Sequence, residues 1–217
     1  MKKKILSVLS DGLLSGIMLC IGCAVSISVD SRPLGAFLFS IGLFAIIKLK
    51  FALFTGKAGY MVVNPPSYIG EVALTLVGNI CGAALGGFLL NLTRFGDKFS
   101  QTAAETMSVK FADSFLSTFV LAVFCGILMF VAVEGNRKAL AKGDSTGSLF
   151  AVVMPIMVFI LSGFNHCVAD LCNFFISRCS SAGDAPLYFT GVILGNAVGC
   201  MLIPFVKKLS LEKLNDD

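Results

Sequence analysis

Ser162-Gly163-Phe164-Asn165-His166 interrupts an otherwise apolar run from about 148 to 176. A second run is broken in a similar way. It is apolar from Pro33 to Ile47, then meets Lys48, Lys50 and Leu53-Phe54-Thr55-Gly56-Lys57 before Tyr60-Met61-Val62-Val63. Backbone N–H and C=O groups that leave a helix inside hydrocarbon cost several kcal/mol each. Such breaks persist only where they are buried in protein or line a polar cavity. The two interruptions therefore decide how the rest of the chain is read.

The surroundings are those of a membrane protein. The chain has 217 residues, of which 56% are hydrophobic and 14% charged, and its mean hydropathy is +0.89. Soluble domains carry roughly a quarter charged residues, so an ordinary soluble enzyme is excluded. A net charge of +4, scattered along the chain, gives no nucleic-acid signature. At about 20 residues per span there is room for roughly six or seven crossings and no separate soluble domain. Residues 1–217 are thus expected to form a single transmembrane domain. The stretch after Lys2, Lys3 and Lys4 reads as a first span, since no cleavage site with a soluble mature domain follows.

Six apolar segments are expected, at about 9–29, from Pro33 onward, 68–92, 111–133, 148–176 and 187–206. With the N-terminus inside, the inner segments hold Lys2, Lys3, Lys4, Lys57, Arg137, Lys138, Lys142, Lys207, Lys208 and Lys213. The outer ones hold Arg32, Arg94, Lys98, Lys110 and Arg178. This excess places both termini in the cytoplasm of a multi-pass protein of the cell's inner (plasma) membrane. Tyr60, Tyr68 and Tyr188 fall at span ends, where an amphipathic ring suits the interface.

The halves repeat, with repeat one at about 9–92 and repeat two at about 111–206. Leu14-Ser15 precedes Cys23 as Leu116-Ser117 precedes Cys125. Gly78-Asn79-Ile80-Cys81-Gly82 matches Gly195-Asn196-Ala197-Val198-Gly199, and the middle span of each half is the broken one. Three spans per half put the copies upside down relative to each other, as in transporters whose paired broken helices mark the pathway. The expected fold is all-α: six transmembrane helices in two inverted three-helix repeats, helices two and five broken, an aquaporin-like architecture. GxxxGxxxG runs at Gly78, Gly82, Gly86 and at Gly191, Gly195, Gly199 point to close packing within the bundle, or to an oligomer contact.

Polar residues at membrane depth are costly and rare, so those in the breaks are functional candidates. His166, the only histidine, is expected in the pathway, with the Thr55 hydroxyl opposite. Asp170, four residues on, shares its face if the helix restarts at the break, as a proton-relay partner or as a cap for freed backbone. Half-helix N-termini in the breaks favour an anion. Lys50 and Lys57 are candidates for attracting one, and snorkelling is the expectation for Lys48. Nearly all eight cysteines lie in apolar runs, which argues against a disulfide framework. No metal site is expected: helical spacing turns Cys167 and Cys172 away from His166 and Asp170. No cofactor is implied.

Leu53-Phe54-Thr55-Gly56 and Gly163-Phe164-Asn165-His166-Cys167-Val168-Ala169-Asp170, in this order, resemble the loops of the formate/nitrite transporter family, which includes hydrosulfide channels. The resemblance covers essentially the whole chain. It implies a homopentamer with a pore through each protomer, Thr55 and His166 as the central polar pair, and constrictions at Phe39, Leu43, Leu53, Phe54 and Phe159. It also suggests Lys110, a basic residue near the outer start of helix four, as a further candidate for attracting the anion. The chain departs from the family at Asp170, where Asn is frequent, and at Asn165, where Glu or Tyr commonly precedes the histidine. Ala122-Val123 stand where helix four often carries Asn.

The expected activity is passive or proton-coupled permeation of a small monovalent weak-acid anion. Formate comes first, with nitrite and hydrosulfide as alternatives. A water/glycerol channel would carry two Asn-Pro-Ala motifs, whereas the only Asn-Pro here is Asn64-Pro65-Pro66. The enzymatic rival is a membrane thiol oxidoreductase using Cys20 and Cys23; the expectation is that the chain is not an enzyme.

Overall fold

A computed structural model describes the backbone of residues 2–216 and the side chains of residues 2–210. Lys213, counted above among the inner charges, lies outside the described side chains. The order is α1 (Lys2–Ser28), α2 (Arg32–Lys48), α3 (Phe54–Ala58), a 3-10 turn (Gly59–Val62), α4 (Ser67–Asn91), α5 (Gly96–Phe111), α6 (Phe115–Ala141), α7 (Ser145–Leu161), α8 (Cys167–Ile176) and α9 (Ala185–Asp216). Among the described residues, four helices, α1, α4, α6 and α9, are long and apolar enough to cross a bilayer. The other two crossings are composite, α2 with α3 and α7 with α8, as expected from the interruptions.

Helix directions follow from which residues meet. Gly12 faces Gly78, Leu13 faces Gly82 and Cys20 faces Gly86, so α1 and α4 run parallel. The chain between them must return across the membrane, which the broken α2–α3 segment does. Phe119 facing Gly195 and Val123 facing Gly199 make α6 and α9 parallel as well. The end of α4 meets the end of α8, where Asn91 Nδ2 donates to the Ile176 carbonyl at 3.1 Å, and α9 starts just beyond. The α6/α9 pair therefore runs opposite to α1/α4, and the repeats are inverted.

The glycine runs act inside the chain. A Cβ on Gly78 would stand 2.7 Å from the Leu9 carbonyl, and one on Gly195 would stand 2.5 Å from that of Phe119. Bare backbone lets each helix pair approach closely enough for dispersion contacts along the seam. The oligomer-contact reading of these stripes is not what the packing uses.

The register of the repeat differs from the one read in sequence. Gly16 packs on Asn79 and Ala83, and Gly126 packs on Asn196 and Cys200. Ser15 therefore corresponds to Cys125 and not to Ser117. The Leu-Ser…Cys match was displaced by eight residues, about two helical turns. Eight residues overshoot two turns by about 80°, less than the width of a broad apolar stripe, so apolar pattern alone does not separate the two registers.

Two further elements depart from expectation. Helix α5 precedes the fourth span and was not foreseen, because its mixed composition carries little apolar signal. Tyr188, expected in an interfacial belt, is buried, and its hydroxyl donates to Asp170. The outward face of the bundle is apolar, with Phe37, Ile41, Phe88, Phe124, Phe150, Leu194 and Phe205 exposed. That is the surface expected where the solvent is lipid.

Candidate functional site

Each break is held by one asparagine. Asn79, on α4, accepts from the Phe54 N–H at 2.9 Å and donates to the carbonyls of Ala52 and Gly12, both at 2.9 Å. Asn196, on α9, accepts from the Cys167 N–H at 2.8 Å and donates to the carbonyls of Asn165 and Ala122, both at 2.8 Å. Both side chains are fully buried. The two amides satisfy backbone groups that the breaks release, which removes the cost that forbids irregular backbone in hydrocarbon. Both asparagines were visible as repeat marks, but nothing local assigned them this task.

The same bonds align the loops: Ala52-Leu53-Phe54 in one half stands where Asn165-His166-Cys167 stands in the other. Leu53 and His166 are both extended residues immediately before a helix restart. One end of the pseudo-symmetric site is thus apolar and the other polar.

The Thr55 hydroxyl and His166 Nε2 lie 3.0 Å apart, both buried. His166 Nδ1 accepts from the Ala169 N–H at 3.1 Å and so caps α8. A ring nitrogen that accepts carries no proton, so the neutral tautomer has its hydrogen on Nε2 and donates it to Thr55 Oγ1. Phe159 stacks on the imidazole at 5.7 Å between centroids and meets Phe39 edge-on at 6.0 Å.

Two cavities lie toward opposite ends of α2, and neither is lined by Thr55 or His166 themselves. The first, of about 310 Å³, is lined by Arg32, Phe39, Lys110, Phe159 and Asp170 among others. The second, of about 170 Å³, is lined by Leu43, Leu53, Lys50, Lys57 and Val133 among others. The candidate constriction residues thus divide, Phe39 and Phe159 walling one cavity and Leu43 and Leu53 the other. Phe54 is buried but lines neither. Leu53 is extended, so the next side chain points away from it, and Phe54 begins α3 against α4.

The charged candidates are placed unevenly. Asp170 does not face His166. Its Oδ1 accepts from Lys110 at 2.7 Å and its Oδ2 from the Tyr188 hydroxyl at 2.9 Å. His166 is the cap before α8: its carbonyl accepts from the Asp170 N–H at 2.8 Å, but its own backbone is extended, so its side chain turns back to the Ala169 N–H while the Asp170 carboxylate is held by Lys110 and Tyr188. Lys110 also donates to Asn165 Oδ1 at 3.0 Å. Lys57 pairs with Glu71 at 2.6 Å, and Lys4 joins the same carboxylate at 2.9 Å. Lys50 lies on the second cavity wall and has no ion pair among the described residues. Lys48, expected to snorkel, turns inward and donates to Ser148 Oγ at 3.0 Å, which in turn donates to Asn136.

The half-helix amides differ from expectation too. The N–H groups of Phe54, Cys167 and Ala169 are already taken by Asn79, Asn196 and His166. Cys20 and Cys23 are buried, and their thiols bond the carbonyls of Ala83 and Ala169. Arg32, missed as a site residue, donates to the carbonyls of Ile160 and Leu161 at the end of α7 and lines the first cavity. Its sequence position in an ordinary loop gave no signal.

The family model described as formate/nitrite transporter matches residues 1–208. The formate channel BtFdhC of Bacillus thuringiensis is 28% identical over 216 residues, covering 87% of this chain and 80% of that protein. The formate channel FocA of Haemophilus influenzae is 26% identical over 151 residues, covering 65% of this chain and 52% of that protein. A solved pentameric formate channel with formate bound superposes with a TM-score of 0.80 at 20% identity, over 98% of this chain and 99% of that one. That likeness concerns the fold.

Proposed function

The chain belongs to the formate/nitrite transporter family, and on that premise we propose that it conducts a small monovalent weak-acid anion, formate first, with nitrite and hydrosulfide as alternatives. It is a membrane transport protein and not a thiol oxidoreductase. Residues 1–217 act as one channel domain, with a pore through each protomer of a homopentamer. The protein resides in the cell's inner membrane with both termini cytoplasmic. The likeness to a pentameric channel supports the assembly, and the lysine-rich inner segments support the orientation.

One observation carries the reading. The buried polar pair Thr55 and His166, 3.0 Å apart, adjoins both cavities through its neighbours: Phe159, which stacks on His166, walls the first with Phe39, and Gly56, next to Thr55, lines the second with Leu43 and Leu53. A bare anion crossing apolar walls faces a large desolvation cost, and the cost is far smaller for the neutral acid. The Thr55 hydroxyl accepts from His166 Nε2–H and keeps its own hydrogen to donate to a solute, and a solute oxygen that displaces Thr55 takes the Nε2–H directly. Because Nδ1 is engaged by the Ala169 N–H, His166 stays neutral and holds the solute by hydrogen bonding. The proton that accompanies the anion comes from the medium as hydronium and reaches it on the acidic side, so that anion and proton together make the neutral acid. Permeation on this scheme rises as pH falls, since acid supplies the neutral form.

The test is flux into proteoliposomes, with formate, nitrite and hydrosulfide compared across pH. Saturable formate uptake that rises with acidity, and is lost in His166→Phe, is expected. Unchanged flux and pH dependence in that variant removes His166 from the pathway.

A further inference from the structure

The first cavity contains two cations, and both are engaged. The Arg32 guanidinium donates to the carbonyls of Ile160 at 3.3 Å and Leu161 at 3.1 Å, at the open end of α7. The Lys110 ammonium donates to Asn165 Oδ1 and Asp170 Oδ1. An ammonium has three N–H donors; the third has no acceptor among the described residues, and Lys110 lies on the cavity wall. The Asp170 side chain is 3% exposed, and its second oxygen is held by Tyr188. Helices α5, α8 and α9 thus fix one carboxylate against one lysine at the mouth of the candidate path.

We propose that Asp170 sets how tightly the cavity mouth holds a permeating anion: it occupies the place on Lys110 that a small carboxylate or similar anion would otherwise take. The cavity then collects anions without retaining them. The inference rests on the transport reading above. An uncompensated ammonium in a low-dielectric mouth attracts an anion strongly. Conduction requires binding favourable enough for entry and weak enough for exit. The fixed carboxylate cancels most of the lysine's field, and the remaining N–H gives a passing anion one transient bond. Tyr188 is a positioning residue, since its hydroxyl keeps the carboxylate from swinging away.

A charge cycle tests this in proteoliposomes, at equal amounts of folded protein. The wild type is assayed first with formate, nitrite and hydrosulfide; no flux of any of the three overturns the transport reading itself. Asp170→Asn keeps the shape and hydrogen-bonding capacity of the side chain and removes its charge. Its half-saturation concentration for the conducted anion is expected to fall roughly five- to tenfold, with a lower maximum rate. Lys110→Gln leaves the carboxylate uncompensated and is expected to raise half-saturation. The double variant is expected to return towards wild type. The shift is electrostatic, so it shrinks as ionic strength rises, which a loss of packing would not do. The inference is overturned if the wild type conducts while Asp170→Asn stays within twofold of it, or if Asp170→Asn and the double variant are the same. Should Asp170→Asn not fold, Lys110→Gln against the double variant carries the decision, and equal half-saturation in those two overturns it.

Discussion

Asn79 on α4 and Asn196 on α9, helices that run in opposite directions in the two inverted halves, make the same three hydrogen bonds. Each accepts from the first amide of a restarting helix and donates to one loop carbonyl and one carbonyl of the neighbouring long helix. This pair of side chains makes the two broken crossings possible in hydrocarbon. The polar pair Thr55 and His166 then sits on backbone that these amides hold still.

Replacing either asparagine should therefore act on the fold before it acts on transport. Asn79→Ala or Asn196→Ala strips partners from three buried backbone groups, at a cost of about 3 kcal/mol or more. Thermal unfolding of the detergent-solubilised protein is expected to show a clear fall in midpoint for both. A midpoint equal to wild type would mean the loops are held by something else.

Thr55→Val removes the acceptor for His166 Nε2–H and keeps the volume. Formate uptake is expected to drop roughly tenfold, in line with about 1–3 kcal/mol for a buried group left unpaired. Thr55→Ser keeps the hydroxyl and should retain most of the rate. Comparable uptake in the valine variant would exclude the hydroxyl from the path.

Phe159 contacts both Phe39 and the His166 ring. Phe159→Ala opens the approach and frees the imidazole from its stack. Competition assays with larger monocarboxylates are expected to reveal uptake of acetate or lactate that the wild type rejects. A size limit unmoved by this change would place the constriction elsewhere.

Gly82 and Gly199 face the carbonyls of Leu13 and Val123 with no space for a methyl group. Either Gly→Ala change forces parallel helices apart, costing about 1–3 kcal/mol or more as overpacking. Gly70, with nothing within 4 Å of a Cβ position, serves as the neutral control. Melting points of the three variants should separate accordingly.

Much of the site was legible in linear sequence because membranes make polarity conspicuous. Thr55-Gly56-Lys57 and Asn165-His166 stand out in an apolar chain, and the structure brings Thr55 and His166 together. Lys110 was reached only by a loose family likeness, since it ends the unforeseen helix α5 and meets Asp170 across 60 positions. Arg32 was passed over because capping a distant helix end leaves no local pattern. Phe54 was grouped with Leu53 by adjacency, although an extended residue sends neighbouring side chains opposite ways.

By itself the sequence determined the solvent, the six crossings, the two breaks and the inverted repetition. All of these follow from hydropathy and from the cost of unpaired backbone in lipid, which act along the chain. Only the tertiary structure decided the register between halves, the tautomer of His166 and the partner of Asp170. Register depends on where glycine lets two helices touch. The tautomer depends on which amide reaches Nδ1, and the charge balance on a lysine folded back from another element. Those are distances between residues far apart in sequence, and hydropathy carries no record of them.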